Sequence, residues 1–342
     1  MIYPRIRINN NVIYYDLWRG IITSKLRAGE ITDDFLGDLA QVGMLVGDVA
    51  KYAWIVDLNV EGHNAADVEP FRQLLISYGL PDDQFGVIFS CFENTDDLPY
   101  HAICLPTRLI HNGNWLTHLK TQQVDWKNLP MVAKLTCLMR RPSLERCHLA
   151  KRVLNAVGYD NLIITLGTND SDVGDDFKQL IHPFPWPLVV DSPSIDYIEQ
   201  HKISHETFYK APLNLVVESS SQTDENVWTS QFITEKSFKA LAWYQFPIWY
   251  AVPGLVGRIR DLGFDVFDDV WNNHNYDTIQ DPPMRMTEVV KQVNRVNQIN
   301  TVQLRTDLWD RLKNNALLVD EIHTSAFDTN QLALEGLENE LV

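Results

Sequence analysis

Short apolar runs alternate with stretches of helical spacing along most of the chain. The runs KYAWIVDLNV at residues 51–60 and FGVIFSCF at residues 85–92 are typical of buried strands. Residues 65–78 lie between them and have a helical pattern, and residues 32–49 carry apolar side chains at intervals of three and four. The first part of the chain is therefore predicted to be an α/β unit.

The same alternation resumes after residue 130. Strands are predicted at residues 133–139, 162–166, 188–191, 213–218 and 247–251, and helices at residues 143–157 and 234–244. Strands that alternate with helices pair in parallel through crossover connections, so this part is predicted to form a doubly wound sheet. Residues 94–130 lose the pattern, which places a domain boundary near residues 126–130.

Three segments are predicted from this pattern. Residues 1–130 form an amino-terminal α/β domain, and residues 131–283 form a second α/β domain. Residues 284–342 form an extension whose first part is a polar helix, with Val289, Val293 and Val296 on one face. The last 20 or so residues are acidic, and we expect them to fray.

Composition narrows the classes of protein that fit. The chain has 342 residues, 45% of them hydrophobic, and a formal net charge of −16. This charge disfavours a broad, sequence-independent nucleic-acid binder, which needs a basic surface, although it allows a local basic cleft. No run reaches the roughly 18 apolar residues of a membrane-spanning helix, and the amino end lacks an apolar signal-peptide core. The four cysteines form no CxxC pair, so we expect reduced thiols in a cytosolic protein.

A first candidate for chemistry is the segment CLMRRPSLER at residues 137–146. A predicted strand ends there, and Arg140 and Arg141 follow it, just before a helix that opens at Pro142-Ser143. Unpaired backbone N–H groups at a helix start favour an anion, and guanidinium groups bind phosphate or carboxylate with two hydrogen bonds. In the alternative interpretation both arginines are surface charges, or one of them pairs with Glu145.

Two further candidates follow later strands. In the sequence ESSS at residues 218–221, Glu218 and the hydroxyls after it could bind sugar or ribose hydroxyls, or form an ordinary turn. The run Thr234-Glu235-Lys236 opens a predicted helix, with Thr234 as N-cap and Glu235 complementing the helix dipole. A cation such as Lys236 is unfavourable at that end unless an anion binds nearby, so the run indicates a phosphate site.

The order of these motifs resembles a known family. CLMRRPSLERCHLAKRVL, then LVVESSS, then FITEKSFKALAWYQFPIWYAVPGLVGRIRDLGFDVFDD are similar to the carboxyl-terminal domain of α-1,3-fucosyltransferase-like glycosyltransferases and to related phage and bacterial proteins. The likeness spans roughly residues 134–281. It implies two Rossmann-like domains with a cleft between them, the GT-B arrangement, with a sugar nucleotide bound by the second domain and neither a metal nor a cofactor.

The resemblance also implies roles for single residues. Arg140 or Arg141, together with Lys236, would contact the donor diphosphate, Glu235 would bind ribose hydroxyls, and Glu218 would lie near the donor sugar. Ser219 stands where the family has Asn. The implied donor-binding set is Arg140, Arg141, Glu218, Ser219, Thr234, Glu235 and Lys236.

An inverting transfer needs a base on the acceptor side, supplied by the first domain. Glu93, just past the 85–92 run, is the first choice, and Asp57 and Glu61 are the alternatives. Each has a plainer interpretation as a solvated loop acid. A metal site at Asp170 and Asp172 is disfavoured, because their acidic loop suits solvated carboxylates.

The sequence therefore predicts a cytoplasmic glycosyltransferase, in the host cytoplasm if the protein is viral. The donor is a nucleotide sugar, for which the resemblance favours GDP, and the acceptor is a glycan, a protein or modified nucleic acid. The transfer is expected to be inverting and metal-independent. The main alternative is a non-catalytic structural or interaction protein, viral or not, that retains the fold. A third is a nucleotide-binding module with other chemistry.

Overall fold

A computed structural model describes residues 6–9, 12–16, 51–58, 65–77, 79–92, 95–106, 125, 127–140, 142–167, 175–186, 188, 210–218 and 231–341. Contacts between Cα atoms divide the chain into two compact units. Unit 1 comprises Met1–His111, Asp224–Phe232 and Thr324–Val342, and unit 2 comprises Asn112–Thr223 and Ile233–His323. The three-segment division drawn from the sequence stays a prediction about domains.

Unit 1 contains a five-stranded sheet in the order β1-β2-β3-β4-β5. Its strands are β1 (Ile6–Asn9), β2 (Val12–Asp16), β3 (Ala53–Leu58), β4 (Phe85–Phe89) and β5 (His101–Cys104). Strand β1 is antiparallel to β2, and every other neighbouring pair is parallel. Helix α1 (Ala65–Ser77) connects β3 to β4 and buries Val68, Phe71 and Leu75 in the core on one side of the sheet.

Unit 2 contains a four-stranded parallel sheet in the order β7-β6-β8-β9. Its strands are β6 (Leu135–Arg140), β7 (Leu162–Leu166), β8 (Leu213–Val217) and β9 (Phe246–Tyr250). The chain adds β7 on one side of β6 and then returns to add β8 on the other side. The strand order therefore reverses between β6 and β8, which is the topological switch point of an open parallel sheet.

Eight further helices are described after α1. They are α2 (Leu144–Val157), α3 (Asp175–Ile181), α4 (Glu235–Ala242), α5 (Leu255–Asp261), α6 (His274–Asp277), α7 (Pro282–Arg295), α8 (Thr301–Asp307) and α9 (Trp309–Leu341). Ser143 caps α2 by accepting a hydrogen bond from the Arg146 backbone N–H at 3.2 Å. Val289, Val293 and Val296 are fully buried, which confirms the apolar face predicted for this stretch.

The second side of the unit 1 sheet is covered by the end of α9. Leu337 and Leu341 are buried there against residues such as Val12 and Ile55. A Cβ added at Gly86 would lie 2.9 Å from Leu341 Cδ1 and 3.2 Å from Leu337 Cδ1, so a larger residue there would displace the ends of these leucine side chains.

Polar contacts fix the same end of α9 to the sheet. The Tyr14 hydroxyl donates to Glu338, and His101 Nδ1 lies 3.0 Å from Glu340 Oε2. The prediction that the last 20 or so residues fray is therefore wrong. Leu337 and Leu341 recur at helical spacing and are buried against the sheet, with Leu334 partly buried beside them, and acids lie between these leucines.

The structure confirms a mixed α/β fold with two sheets that contain parallel strands. Predicted strands and helices in both units are found, with ends shifted by at most a few residues. Strands β1, β2 and β5 were not predicted. The helix predicted at 32–49 lies outside the described residues, as does the strand predicted at 188–191 apart from Leu188, which bridges to Leu166. In the described part of the chain, no helix is both long and apolar enough to cross a bilayer.

Candidate functional site

The switch point of unit 2 brings together the segments that the sequence singled out. Residues 141–143 follow β6, Glu218 follows β8, and helix α4 begins at Glu235. In open parallel sheets, ligands bind beyond the carboxyl ends of the strands at such a point. The side chains at these strand ends therefore define the candidate site.

Glu218 joins the end of β8 to the start of α4. Its side chain is fully buried, at 0% exposure. Oε1 accepts hydrogen bonds from Thr234 N at 3.1 Å and from Ser237 Oγ at 2.6 Å, and Oε2 accepts one from Thr234 Oγ1 at 2.5 Å. Both carboxylate oxygens are engaged within the protein, so the geometry gives Glu218 the task of holding the helix start in place.

Thr234 is the N-cap of α4, which confirms the prediction for this residue. Its hydroxyl donates to Glu218 and accepts from both Lys236 N and Lys236 Nζ, each at 3.2 Å. The Lys236 ammonium is therefore one hydroxyl group away from the Glu218 carboxylate. Glu235, in the first turn of α4, is half-buried.

A second cation at the site is Arg146, which sequence reasoning missed. It lies in the first turn of α2, where Nη1 donates to Met139 O at 3.0 Å and Nη2 donates to Glu218 O at 3.4 Å. The guanidinium therefore spans the ends of β6 and β8. Helical side chains point towards the amino end of their helix, so an arginine three residues after the N-cap Ser143 was the available signal.

Two cysteines near the site are neutral thiols. Burial raises the pKa of Cys137 to about 12, although Arg146 acts in the opposite direction. Burial also raises the pKa of Cys147 to about 11. Since the thiolate is the reactive form of cysteine, neither side chain is suited to act as a nucleophile.

The other predicted residues have mixed outcomes. Arg140 is the last residue of β6, but its side chain lies outside the described residues, as do Arg141 and Ser219. Among the candidate bases, Asp57 is described near the carboxyl end of β3 in unit 1, with 1% exposure. Its neighbours in the sheet register are Asp16 of β2 and Ile88 of β4.

The remaining acids that the sequence analysis considered, two candidate bases and the disfavoured metal-site pair, fall outside the described ranges. These are Glu61, Glu93, Asp170 and Asp172. In the part of the chain that the structure describes, no cluster of three or more His, Cys, Asp or Glu side chains could hold a metal ion.

Comparisons with known proteins give no family assignment: no protein-family model matches the chain, and no curated protein matches its sequence. The arrangement itself suits an anion. Arg146 and Lys236 lie at the carboxyl edge of a parallel sheet, where their charges favour an anion, and the Glu218 carboxylate occupies the start of α4 itself.

Proposed function

We propose that the chain is a nucleotide-sugar-dependent glycosyltransferase whose donor diphosphate binds at the switch point of unit 2. One observation carries the proposal: Arg146 and Lys236 both reach the segment around Glu218, at the edge where open parallel sheets bind ligands. The sugar-transfer chemistry comes from the resemblance of the Arg-Arg-Pro, Glu-Ser-Ser and Thr-Glu-Lys motifs to α-1,3-fucosyltransferase-like enzymes.

The two cations fit the chemistry of a leaving nucleoside diphosphate. Negative charge develops on the diphosphate as the sugar departs, and fixed positive groups stabilise it. The bonds from Arg146 to Met139 O and Glu218 O hold its positive charge at the strand ends, and Lys236 supplies a compact charge. Glu218 acts as a positioning residue in this proposal, because it orients Thr234, to which Lys236 is bonded. Glu235 is the proposed partner of the ribose hydroxyls.

The acceptor side of the proposal rests on the sequence. We propose that the two units are the Rossmann-like domains of a GT-B enzyme and that unit 1 supplies the base from Glu93, Asp57 or Glu61. The resemblance favours GDP as the nucleotide. The net charge of −16 makes nucleic acid the least favoured of the three acceptor classes.

A thermal-shift screen tests the donor site. The protein is heated with GDP, UDP, ADP and CMP and with their sugar conjugates, in the presence and absence of EDTA. A ligand of the folded state raises the melting temperature, so we expect a shift with one nucleoside diphosphate that EDTA does not change. A shift that needs added divalent metal would contradict the metal-independent site.

The Lys236→Ala variant tests the assignment of the cation. Loss of one charged contact weakens diphosphate binding by about 1.5–3 kcal/mol, so we expect the Kd for the shifting nucleotide to rise at least about tenfold in titration calorimetry. Lys313→Ala is the matched control, because Lys313 is an exposed lysine of the same unit. Unchanged affinity in Lys236→Ala would remove Lys236 from the site.

One observation favours the alternative of a non-catalytic protein that retains the fold. The Glu218 carboxylate, which the resemblance places near the donor sugar, is used by Thr234 and Ser237. If no nucleotide or sugar nucleotide shifts the melting temperature, and none is hydrolysed during prolonged incubation, this alternative replaces the enzyme.

A further inference from the structure

Four residues at the candidate site are joined in a closed circuit by hydrogen bonds and one chain link. The Tyr250 carbonyl accepts from Glu218 N at 3.1 Å, and the Glu218 carbonyl accepts from Arg146 Nη2 at 3.4 Å. Arg146 follows Glu145 in the chain, and the Glu145 carboxylate accepts a hydrogen bond from the Tyr250 hydroxyl. We call these four residues the Tyr250 circuit. It ties together the end of β8, the end of β9 and the first turn of α2.

The hydrogen bond between Tyr250 and Glu145 in this circuit is shielded from water. Tyr250 is 0% exposed and Glu145 is 8% exposed. The Arg285 guanidinium, on helix α7 and 1% exposed, lies 5.9 Å from the centre of the Tyr250 ring plane. Burial is the largest cause that raises the pKa of the Tyr250 hydroxyl, followed by the neighbouring Glu145 charge. The hydroxyl therefore stays protonated, and it is a donor to Glu145.

The first turn of α2 is held by bonds within the turn and by bonds to the strands, such as those from Arg146 to Met139 O and Glu218 O. The backbone N–H groups of Arg146 and Cys147 donate to Ser143 at 3.2 Å and 2.9 Å. Ser143 belongs to the same turn, so these bonds hold the turn together without fixing it to the sheet. The Tyr250–Glu145 hydrogen bond is a contact from this turn to a neighbouring strand, and it acts one residue away from the Arg146 side chain.

We propose that Tyr250 is a positioning residue, which through Glu145 fixes the first turn of α2 and so aims Arg146 at the strand ends. Arg146 is the residue that would touch the ligand, and Tyr250 acts through it. The consequence for binding rests on the proposed diphosphate site, but the positioning itself is a property of the folded chain and can be measured without a ligand.

Tyr250→Phe is the decisive variant, because it removes one oxygen atom and keeps the buried ring. We expect amide hydrogen exchange in peptides spanning residues 143–149 to quicken about tenfold, the equivalent of one hydrogen bond lost from the local opening equilibrium. The matched control is Tyr276→Phe. Tyr276 is 1% exposed. Its hydroxyl accepts from Trp249 N and donates to Asn273 Oδ1, and neither partner belongs to the Tyr250 circuit.

The two tyrosine variants separate positioning from a general loss of stability. Both should lower the melting temperature, but only Tyr250→Phe should quicken exchange in residues 143–149. Unchanged exchange in Tyr250→Phe, or equal quickening in both variants, overturns the proposal. If Tyr250→Phe does not fold, Glu145→Gln replaces it. The neutral amide weakens the same hydrogen bond, so we expect a smaller increase in exchange, and no increase would overturn the proposal.

Titration with GDP then tests the functional consequence. In Tyr250→Phe we expect the Kd for GDP to rise about tenfold, and in Tyr276→Phe to stay within about twofold of the parent value. Quickened exchange with unchanged GDP affinity would overturn the role of Tyr250 in binding. If the parent protein does not bind GDP, the proposed GDP donor fails, and the exchange measurement still decides whether Tyr250 positions α2.

Discussion

At the scale of single residues, Asp277 shows how the chain fills a helix start with its own carboxylate. Its Oδ1 accepts from Val256 N and its Oδ2 from Gly257 N, both at 3.0 Å, in the first turn of α5. Asp277 is also buried, and burial is the largest cause that raises its pKa, although the backbone N–H groups act in the opposite direction. The amino end of α5 is therefore occupied by the protein itself.

The raised pKa of Asp277 predicts a pH dependence of stability. Above the ordinary aspartate pKa of about 3.9, the unfolded chain loses this proton while the folded protein still retains part of it. Stability contributed by Asp277 is therefore greatest at low pH and falls as pH rises from about 4 through the raised folded pKa. In urea unfolding between pH 4 and 7, we expect the stability advantage of the parent over Asp277→Asn to shrink with rising pH.

Asp269 provides a control whose contribution to stability should stay level over this pH range. Its hydrogen bond from Arg311 is the largest cause that lowers its pKa. The contribution of Asp269 is therefore present above the ordinary aspartate pKa and declines as pH falls through the lowered folded value. We therefore expect the advantage of the parent over Asp269→Asn to stay level between pH 4 and 7. An advantage of the parent over Asp277→Asn that stayed level or grew with pH would refute the burial argument for Asp277.

Glu218 and Arg146 mark how far single residues could be predicted. The residue types at the strand ends, and the N-cap Thr234, could be read from the order of strands and polar residues. The hydrogen-bond partners could not be predicted, because Glu218 contacts Thr234 and Ser237 only once the chain has returned from β8 to α4. Arg146 was missed for the same reason. Its contact with the Glu218 carbonyl joins positions that are 72 residues apart in sequence.

At the scale of elements, the end of α9 is expected to stabilise unit 1. Leu337 is 1% exposed and packs against the sheet beside Gly86. Leu337→Ala removes buried methyl groups and leaves a cavity, so we expect the free energy of unfolding to fall by about 3 kcal/mol. Urea unfolding followed by circular dichroism measures this loss.

Leu332→Ala is the matched control in the same helix. Leu332 is 68% exposed, so its replacement should change the free energy of unfolding by no more than about 0.5 kcal/mol. Alanine favours the helix slightly more than leucine at both positions, so helix propensity cannot cause a loss, and equal losses in the two variants are not expected. That outcome would contradict the packing of α9 on the unit 1 sheet.

Burial explains why several strands were predicted and why strand β5 was missed. Strands β3, β4 and β7 are buried throughout, and a strand covered on both faces reads as a continuous apolar run. Strand β5 has only four residues, all half-buried, so HAIC carries no comparable signal. The docking turns of α9 were missed because the acids between Leu334, Leu337 and Leu341 suggested a solvated tail.

At the scale of the whole molecule, unit 1 is assembled from three separate stretches of chain. Residues 224–232 contribute Phe232 to the core beside α1, and residues 324–342 contribute Leu337 and Leu341 to the other side of the sheet. A fragment of residues 1–111 lacks both contributions. We expect it to show no cooperative thermal transition by circular dichroism, because one side of its sheet is left without the α9 cover.

Joining residues 324–342 to this fragment through a flexible glycine-serine linker should restore a cooperative transition, since the linker makes docking intramolecular. The control is the joined fragment with Leu337→Asp and Leu341→Asp, which should behave like residues 1–111 alone. A cooperative transition in the unjoined fragment would show that the end of α9 is dispensable for the fold of unit 1.

The three-part assembly of unit 1 also sets an order of events on the ribosome. At about 5–20 residues per second, roughly ten to forty seconds separate the synthesis of residue 111 from that of residue 324. During that interval all of unit 2 is translated, and the amino-terminal strands lack the end of α9 that covers them in the folded protein. The unit whose translation begins first is therefore completed last, and one apolar side of its sheet lacks its cover until residues 324–342 have been made.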